Sequence, residues 1–123
     1  MRPTQQLQAH SPFNHPLRAV TLMLDIIRRL TTIERTIRIH DKEHAQQLRD
    51  ASNSALFNLA EGQGSTAGTR RQRFESAHAS AKETRLNLHA AVARGYIAFD
   101  AQLDDDLDHV AAVTWRLMHP RQR

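Results

Sequence analysis

Two groups of arginines have the residue type and spacing to bind phosphate. They are Arg28, Arg35 and Arg38 on one face of a predicted first helix, and Arg70, Arg71 and Arg73 at the start of a predicted third helix. Guanidinium groups bind phosphate in a bidentate fashion, and the free amides at a helix start also favour anions. Each group is therefore a candidate nucleic-acid site. The alternative is a solvated face whose arginines pair partly with nearby carboxylates such as Glu34 and Glu75.

Three short patterns imitate metal sites. His40-Asp41-Lys-Glu43-His44 has the order of an inverted zinc-protease motif. We interpret it as a solvated helix start, because His40 precedes the predicted helix cap Asp41 and need not share a helix face with His44.

The other two, Glu75-x-x-His78 and Asp106-x-x-His109, imitate the Glu-x-x-His pairs of di-iron helical bundles. Metal ligands in such bundles must point inward. At about 100° per residue, Glu75 and His109 are displaced from the apolar seams of their helices, which disfavours a bundle oxidase.

The glycine-rich segment 62–68 matches a dinucleotide fingerprint only superficially. It follows a predicted helix instead of a strand, and it lacks a Walker lysine. No serine, histidine and acid have the setting of a nucleophilic triad. We therefore predict a non-catalytic protein without a metal or cofactor.

A polar stripe follows the predicted second helix. Ser54, Asn58 and Glu61 lie at i, i+4 and i+7 and so share one face. We interpret them as a network that fixes the register of neighbouring helices. We expect both this stripe and Glu83 of the third helix to belong to a polar network with Arg85, with Arg49 or with a neighbouring subunit.

The rest of this second helix is apolar around most of its circumference, including Phe57. Such a helix is usually buried on more than one side, which suggests a partner subunit. Gly62 is expected to end the helix in the left-handed conformation.

Composition favours a small helical protein. Hydrophobic residues make up 40% of the 123 residues and aromatic residues only 5%, which suits packed alanine and leucine helices. Cysteine is absent, which excludes disulfides and cysteine-based zinc sites. No apolar run approaches the roughly 20 residues that span a bilayer, and no signal-peptide pattern begins the chain, so we expect a cytoplasmic protein without a membrane partner. Arginine contributes 15 of the 17 basic residues behind the net charge of +4, which favours an acidic partner.

Helical periodicity predicts four helices. The first helix is predicted to begin at Pro16, and the second to run from the cap Asp41 to Glu61. The third is predicted to begin at the capping-box pair Thr69 and Gln72 and to end at Gly95. The fourth is predicted to begin at Asp100 and to end at Pro120. Short connections imply an antiparallel up-down four-helix bundle, hence an all-α fold. Residues 1–15 are predicted to form a flexible arm, 16–119 the bundle and 120–123 a basic tail.

A combination of motifs carries a resemblance over about residues 17 to 118. It consists of Ser54, Asn58, Glu61 and Gly62, a glycine/serine loop, then Phe74, Ala77, Ser80 and Glu83, and finally Gly95-Tyr96. With these residues the chain resembles the family called four helix bundle proteins. They are also known as intervening-sequence proteins, because some are encoded in insertions in bacterial large-subunit ribosomal RNA genes. Ala79 departs from the family, which often has glycine there.

The resemblance implies a left-handed four-helix bundle, often assembled as a homopentamer. A related branch serves as the accessory protein of diversity-generating retroelements, a basic pentamer that binds a reverse transcriptase and nucleic acid. We therefore expect an oligomeric bundle that binds RNA or DNA or assists a nucleic-acid enzyme. The alternatives are a structural protein–protein interaction module and, less favoured, a metal-dependent bundle enzyme. If nucleic acid binds, the scarcity of aromatic residues predicts backbone contacts, weak sequence preference and strong salt dependence.

Overall fold

The computed structural model describes Phe13 and residues 17–120. Apart from Phe13, the predicted arm lies outside the described residues, as do the last three residues of the predicted tail. Within the described part of the chain four helices are present: α1 (Arg18–His40), α2 (Lys42–Gln63), α3 (Ala67–Ala93) and α4 (Ala101–Met118). The described residues contain no strand, so the predicted all-α four-helix bundle is confirmed.

Neighbouring helices run antiparallel. Ser54 Oγ of α2 lies 2.8 Å from Ser80 Oγ of α3, while His44 Nε2, nearer the start of α2, lies 2.9 Å from the carbonyl oxygen of Asn87, nearer the end of α3. Each helix packs on the next along the chain, and α4 returns to α1, so the four helices close a ring around one core.

Two aspartate caps are confirmed where the sequence predicted them. The Asp41 carboxylate accepts a hydrogen bond from the amide of His44 at 3.1 Å, and the Asp100 carboxylate accepts one from the amide of Leu103 at 3.0 Å. Because an N-cap satisfies amides that no helical carbonyl reaches, these caps fix the starts of α2 and α4. α3, by contrast, begins at Ala67, before the predicted capping box, and Thr66 precedes it without a side-chain cap.

The predicted stop at Gly62 is wrong. α2 continues to Gln63, and Gly62 is a buried helical residue. Among the described residues only Gly95 has a positive φ, of 77°, just after α3. Glycine is needed at this position because α2 and α3 approach each other closely here: a Cβ on residue 62 would lie 2.6 Å from Phe74 Cε1.

The core is mostly aliphatic. On α1, Leu22, Met23 and Ile26 are fully buried, whereas Leu24 and Ile27 are only partly buried. The fully buried core residues of the other helices include the following: Ala45, Leu48, Ala55, Leu59, Ala77, Ala81, Ala91, Leu107 and Val110. No helix in the described part of the chain has the length and apolar character needed to cross a bilayer.

Candidate nucleic-acid interface

The ends of all four helices meet at a cleft of about 570 Å³. In an antiparallel bundle, the starts of α1 and α3 and the ends of α2 and α4 lie at the same end of the molecule. Ten of the described residues line the cleft: Leu17, Gln63, Ala67, Arg70, Arg71, Phe74, Arg116, Leu117, Met118 and Pro120. This end, which we call the basic end, therefore combines three arginines with an apolar floor.

Among the described residues that line the cleft, the three arginines of the basic end face no carboxylate. Arg70 donates one hydrogen bond to the carbonyl of Ser65 at 3.3 Å, and Arg71 and Arg116 make no ion pair within the described residues. The first turn of α3 holds no acidic residue, and its N-cap makes no side-chain hydrogen bond. The positive end of the α3 dipole is opposed by the negative ends of α2 and α4 at the same end of the bundle, so the three guanidinium charges are what favours an anion here.

Arg73 points elsewhere, although it belongs to the second predicted arginine group. Its Nη1 lies 2.9 Å from a carboxylate oxygen of Glu61 and 3.4 Å from Asn58 Oδ1. These partners compete with phosphate for the guanidinium. Of the predicted group, Arg70 and Arg71 therefore line the cleft, and Arg73 joins the polar stripe of α2.

The first predicted arginine group on α1 is mostly engaged inside the chain. Arg28 lies 3.5 Å from the buried carboxylate of Asp25 and 6.0 Å from the Phe13 ring centroid, and Arg38 donates to Glu34 at 2.9 Å. Arg35 makes no ion pair in the described part of the chain. This group offers a phosphate fewer unpaired guanidiniums than the basic end does.

The polar stripe of α2 forms a network within the chain. Asn58 Nδ2 donates to the carbonyl of Ser54 at 2.9 Å and to its hydroxyl at 3.2 Å, and the same hydroxyl contacts Ser80. Arg73 extends the network to Glu61. These bonds tie α2 to α3, while a role at a subunit interface stays a prediction.

The residues expected to bind Glu83 have other partners. Arg85 Nε donates to Asp104 at 2.8 Å and its Nη1 to Asp108 at 3.1 Å, while Arg49 lies 3.7 Å from Glu34. The prediction of an Arg85 or Arg49 partner for Glu83 is therefore wrong. Glu83 is exposed on α3, where contact with a neighbouring subunit remains a prediction.

The opposite end of the bundle carries aspartates around the start of α4. Asp104 accepts from Arg85 and lies 2.6 Å from His89 Nε2. The hydrogen bond from Arg85 is the main reason that the pKa of Asp104 is lowered to about 2; burial opposes this shift, and a weaker contribution from the His89 hydrogen bond adds to it. Asp104 therefore stays ionised at neutral pH and paired with Arg85.

Three of the four histidines in the metal-like patterns make ring contacts or hydrogen bonds within the bundle. The His40 ring stacks on Tyr96 with centroids 4.8 Å apart, and His44 meets the same ring edge-on while bonding the Asn87 carbonyl. His78 Nδ1 lies 2.9 Å from the Ala111 carbonyl oxygen. Within the described residues no group of three or more histidine, aspartate or glutamate side chains is arranged to hold a metal ion.

Sequence reasoning missed several charged residues. Arg116 joins Arg70 and Arg71 only because the end of α4 lies beside the start of α3, which the predicted antiparallel order already implied. The fully buried Asp106, ion-paired to Arg29 of α1, and the fully buried Asp25 carry no signal that separates them from surface aspartates in the sequence.

Large apolar side chains are also exposed on α2 and α3. Phe57 on α2 is 57% exposed and Leu86 on α3 is 67% exposed. The second apolar surface predicted for α2 is therefore exposed to solvent at Phe57 in the single chain.

Comparisons with protein-family models, with curated proteins and with solved structures found no match to this chain. The function of the chain is therefore inferred from the geometry of the basic end and from the resemblance described above.

Proposed function

We propose that this chain is a non-catalytic, self-associating bundle of the cytoplasm that binds nucleic acid through its basic end. The observation that carries the proposal is the cleft that Arg70, Arg71 and Arg116 line together, with no carboxylate among its described lining residues. Guanidinium groups that are not neutralised by the protein are available to displace counterions from a phosphate backbone. The resemblance to the four helix bundle family supports a role as a direct binder or as the accessory protein of a nucleic-acid enzyme such as a reverse transcriptase.

Replacement of Arg70, Arg71 and Arg116 by glutamine tests this assignment. At about 50 mM salt we expect the affinity for labelled RNA or DNA to fall by about tenfold or more, since three phosphate contacts are lost. The matched control removes the same charge from α1 by changing Arg28, Arg35 and Arg38 to glutamine.

Fluorescence anisotropy measures both triple variants against the wild-type chain, and circular dichroism checks that they fold. The proposal expects the control to change affinity much less than the cleft variant. Equal losses in the two variants would mean that net charge alone governs binding, and the cleft would then have no special role.

Self-association is the second part of the proposal, with a homopentamer expected from the family resemblance. Its support in this chain is the exposure of Phe57 and Leu86 on α2 and α3, whose burial against another subunit would remove apolar surface from water. A ring of copies would also repeat a weak basic cleft and increase avidity.

Sedimentation velocity tests this second part. We expect the double change of Phe57 and Leu86 to serine to shift the assembly toward monomer. The control is Ile39→Ser, because Ile39 is 82% exposed on α1. A wild-type chain that sediments as a monomer would contradict self-association and leave nucleic-acid binding to be judged separately.

A further inference from the structure

The cleft at the basic end has an apolar floor that phosphate binding alone does not explain. Leu17, Phe74, Leu117 and Met118 line it together with the arginines. Phosphate oxygens gain nothing from contact with aliphatic or aromatic carbon. The lining instead matches a ligand with one weakly polar, flat part and one anionic part.

The size of the cleft agrees with a small organic group. Its volume of about 570 Å³ falls in the range of roughly 300–1,000 Å³ that is typical of small-molecule sites. A single water occupies only about 30 Å³ of liquid, so the cleft is much larger than a hydration site. A nucleobase with its sugar is a group of the right scale and shape.

Polar side chains suited to a nucleobase and its phosphate also line the cleft. Gln63 lines the cleft, and its amide offers both a donor and an acceptor to the edge of a base. Arg70, Arg71 and Arg116 surround the same space, and guanidinium planes stack on bases as well as binding phosphates.

We propose that the cleft receives one unpaired base of a single-stranded nucleic acid, while its arginines bind the flanking phosphates. This inference depends on the proposed function and sharpens it, since it replaces the backbone-only binding that the composition predicts. Paired bases are stacked inside a duplex and cannot enter the cleft without being unpaired. The protein should therefore prefer single strands, even though duplex DNA carries the denser charge.

The experiment compares three labelled probes at about 50 mM salt: a single strand of about 12 nucleotides, an abasic strand of the same length and charge, and the matching duplex. Loss of one stacked base is expected to weaken binding by about 5-fold or more. We therefore expect the normal strand to bind at least about 5-fold more tightly than the abasic strand or the duplex.

A cleft-filling variant localises the effect. Ala67→Leu adds bulk to the cleft lining while it keeps every arginine, and Ala79→Leu makes the same change at an exposed position on α3 outside the cleft. We expect Ala67→Leu to bring the normal strand down to the affinity of the abasic strand, and Ala79→Leu to preserve the difference.

The outcomes separate the two proposals. Equal affinity of the normal and abasic strands would overturn base binding, while salt-dependent binding of both would leave the proposed function intact. A base-dependent affinity that survives Ala67→Leu would also overturn the cleft as its location. Absence of binding to all three probes would overturn both proposals.

Discussion

The close approach of α2 and α3 at Gly62 predicts that alanine there destabilises the bundle. A Cβ at this position would lie 2.6 Å from Cε1 and 2.8 Å from Cδ1 of Phe74, and 3.2 Å from Arg73 Cβ. Phe74 is only 3% exposed, so its ring has little room to move away. The added methyl must therefore push the two helices apart or displace the ring.

The magnitude follows from two opposing effects. Overpacking of a well-packed core typically costs about 1–3 kcal/mol. Alanine also gains up to about 1 kcal/mol of helix propensity over glycine, and less than this near a helix end. For Gly62→Ala we therefore expect a net loss of about 1–2 kcal/mol in the free energy of unfolding. The matched control is Gly68→Ala in the first turn of α3, where an added Cβ meets nothing within 4 Å and no loss is expected.

Urea unfolding followed by far-UV circular dichroism measures these changes. A double-mutant cycle with Phe74→Leu isolates the steric contact, because the shorter side chain leaves room for the methyl group. We expect the cost of Gly62→Ala to shrink by about 1 kcal/mol in that background. The reasoning is refuted if Gly62→Ala is as stable as Gly68→Ala, or if its cost is the same beside leucine.

Three further changes probe individual contacts. The folded-state pKa of Asp104 is lowered to about 2, so its contribution to stability is present above the unfolded value near 3.9 and is lost as the pH falls toward 2. Asp104→Asn should cost about 1–2 kcal/mol at neutral pH and close to nothing near pH 2, measured by urea unfolding at both pH values. Asp25→Leu should raise the free energy of unfolding by about 1–3 kcal/mol, because this fully buried carboxylate makes no hydrogen bond among the described residues and its 3.5 Å ion pair is with the half-exposed Arg28; a loss would contradict that interpretation. Asp41→Ala should lower the thermal midpoint through a loss of about 1 kcal/mol at the α2 cap, and an unchanged midpoint would count against the cap.

Local signals in the sequence predicted the fold well. Asp41 and Asp100 cap the helices they were expected to cap, because an N-cap depends on the aspartate and the amides three residues later. The end of α3 near Gly95 was likewise predicted, and Gly95 takes a positive φ there because the chain turns between α3 and α4. Apolar periodicity then sufficed for the order and antiparallel packing of four helices.

Tertiary contacts were harder to predict. Whether a glycine ends a helix or allows two helices to approach depends on what faces it, and Phe74 faces Gly62 from another helix. The polar stripe was correctly placed on one face, but its arginine partner proved to be Arg73. The burial of Asp25 is invisible in its neighbours along the chain, because aspartates on a helix flank look alike until the helices pack.

The candidate site was predictable only where it depends on local features of the sequence. Arg70 and Arg71 were identified from clustering and from their position at a helix start, both of which are local properties. Arg116 and most of the apolar floor come from the end of α4 and from Leu17 just before α1, so the cleft exists only once the helix ends meet. The composition had favoured backbone contacts alone, since it does not reveal an apolar surface assembled beside arginines.

The most direct test of the central claim is the affinity of the wild-type chain for single-stranded RNA and DNA across a salt series, with the mass in solution determined on the same sample. Binding through three arginines predicts that the logarithm of the association constant falls linearly with the logarithm of salt concentration. Each phosphate contact on a single strand contributes a slope of about −0.7, so the glutamine variant of Arg70, Arg71 and Arg116 should lose about 2 from its slope per chain. No binding of the wild-type chain even at about 50 mM salt would contradict the account and leave the basic end as a solvated surface.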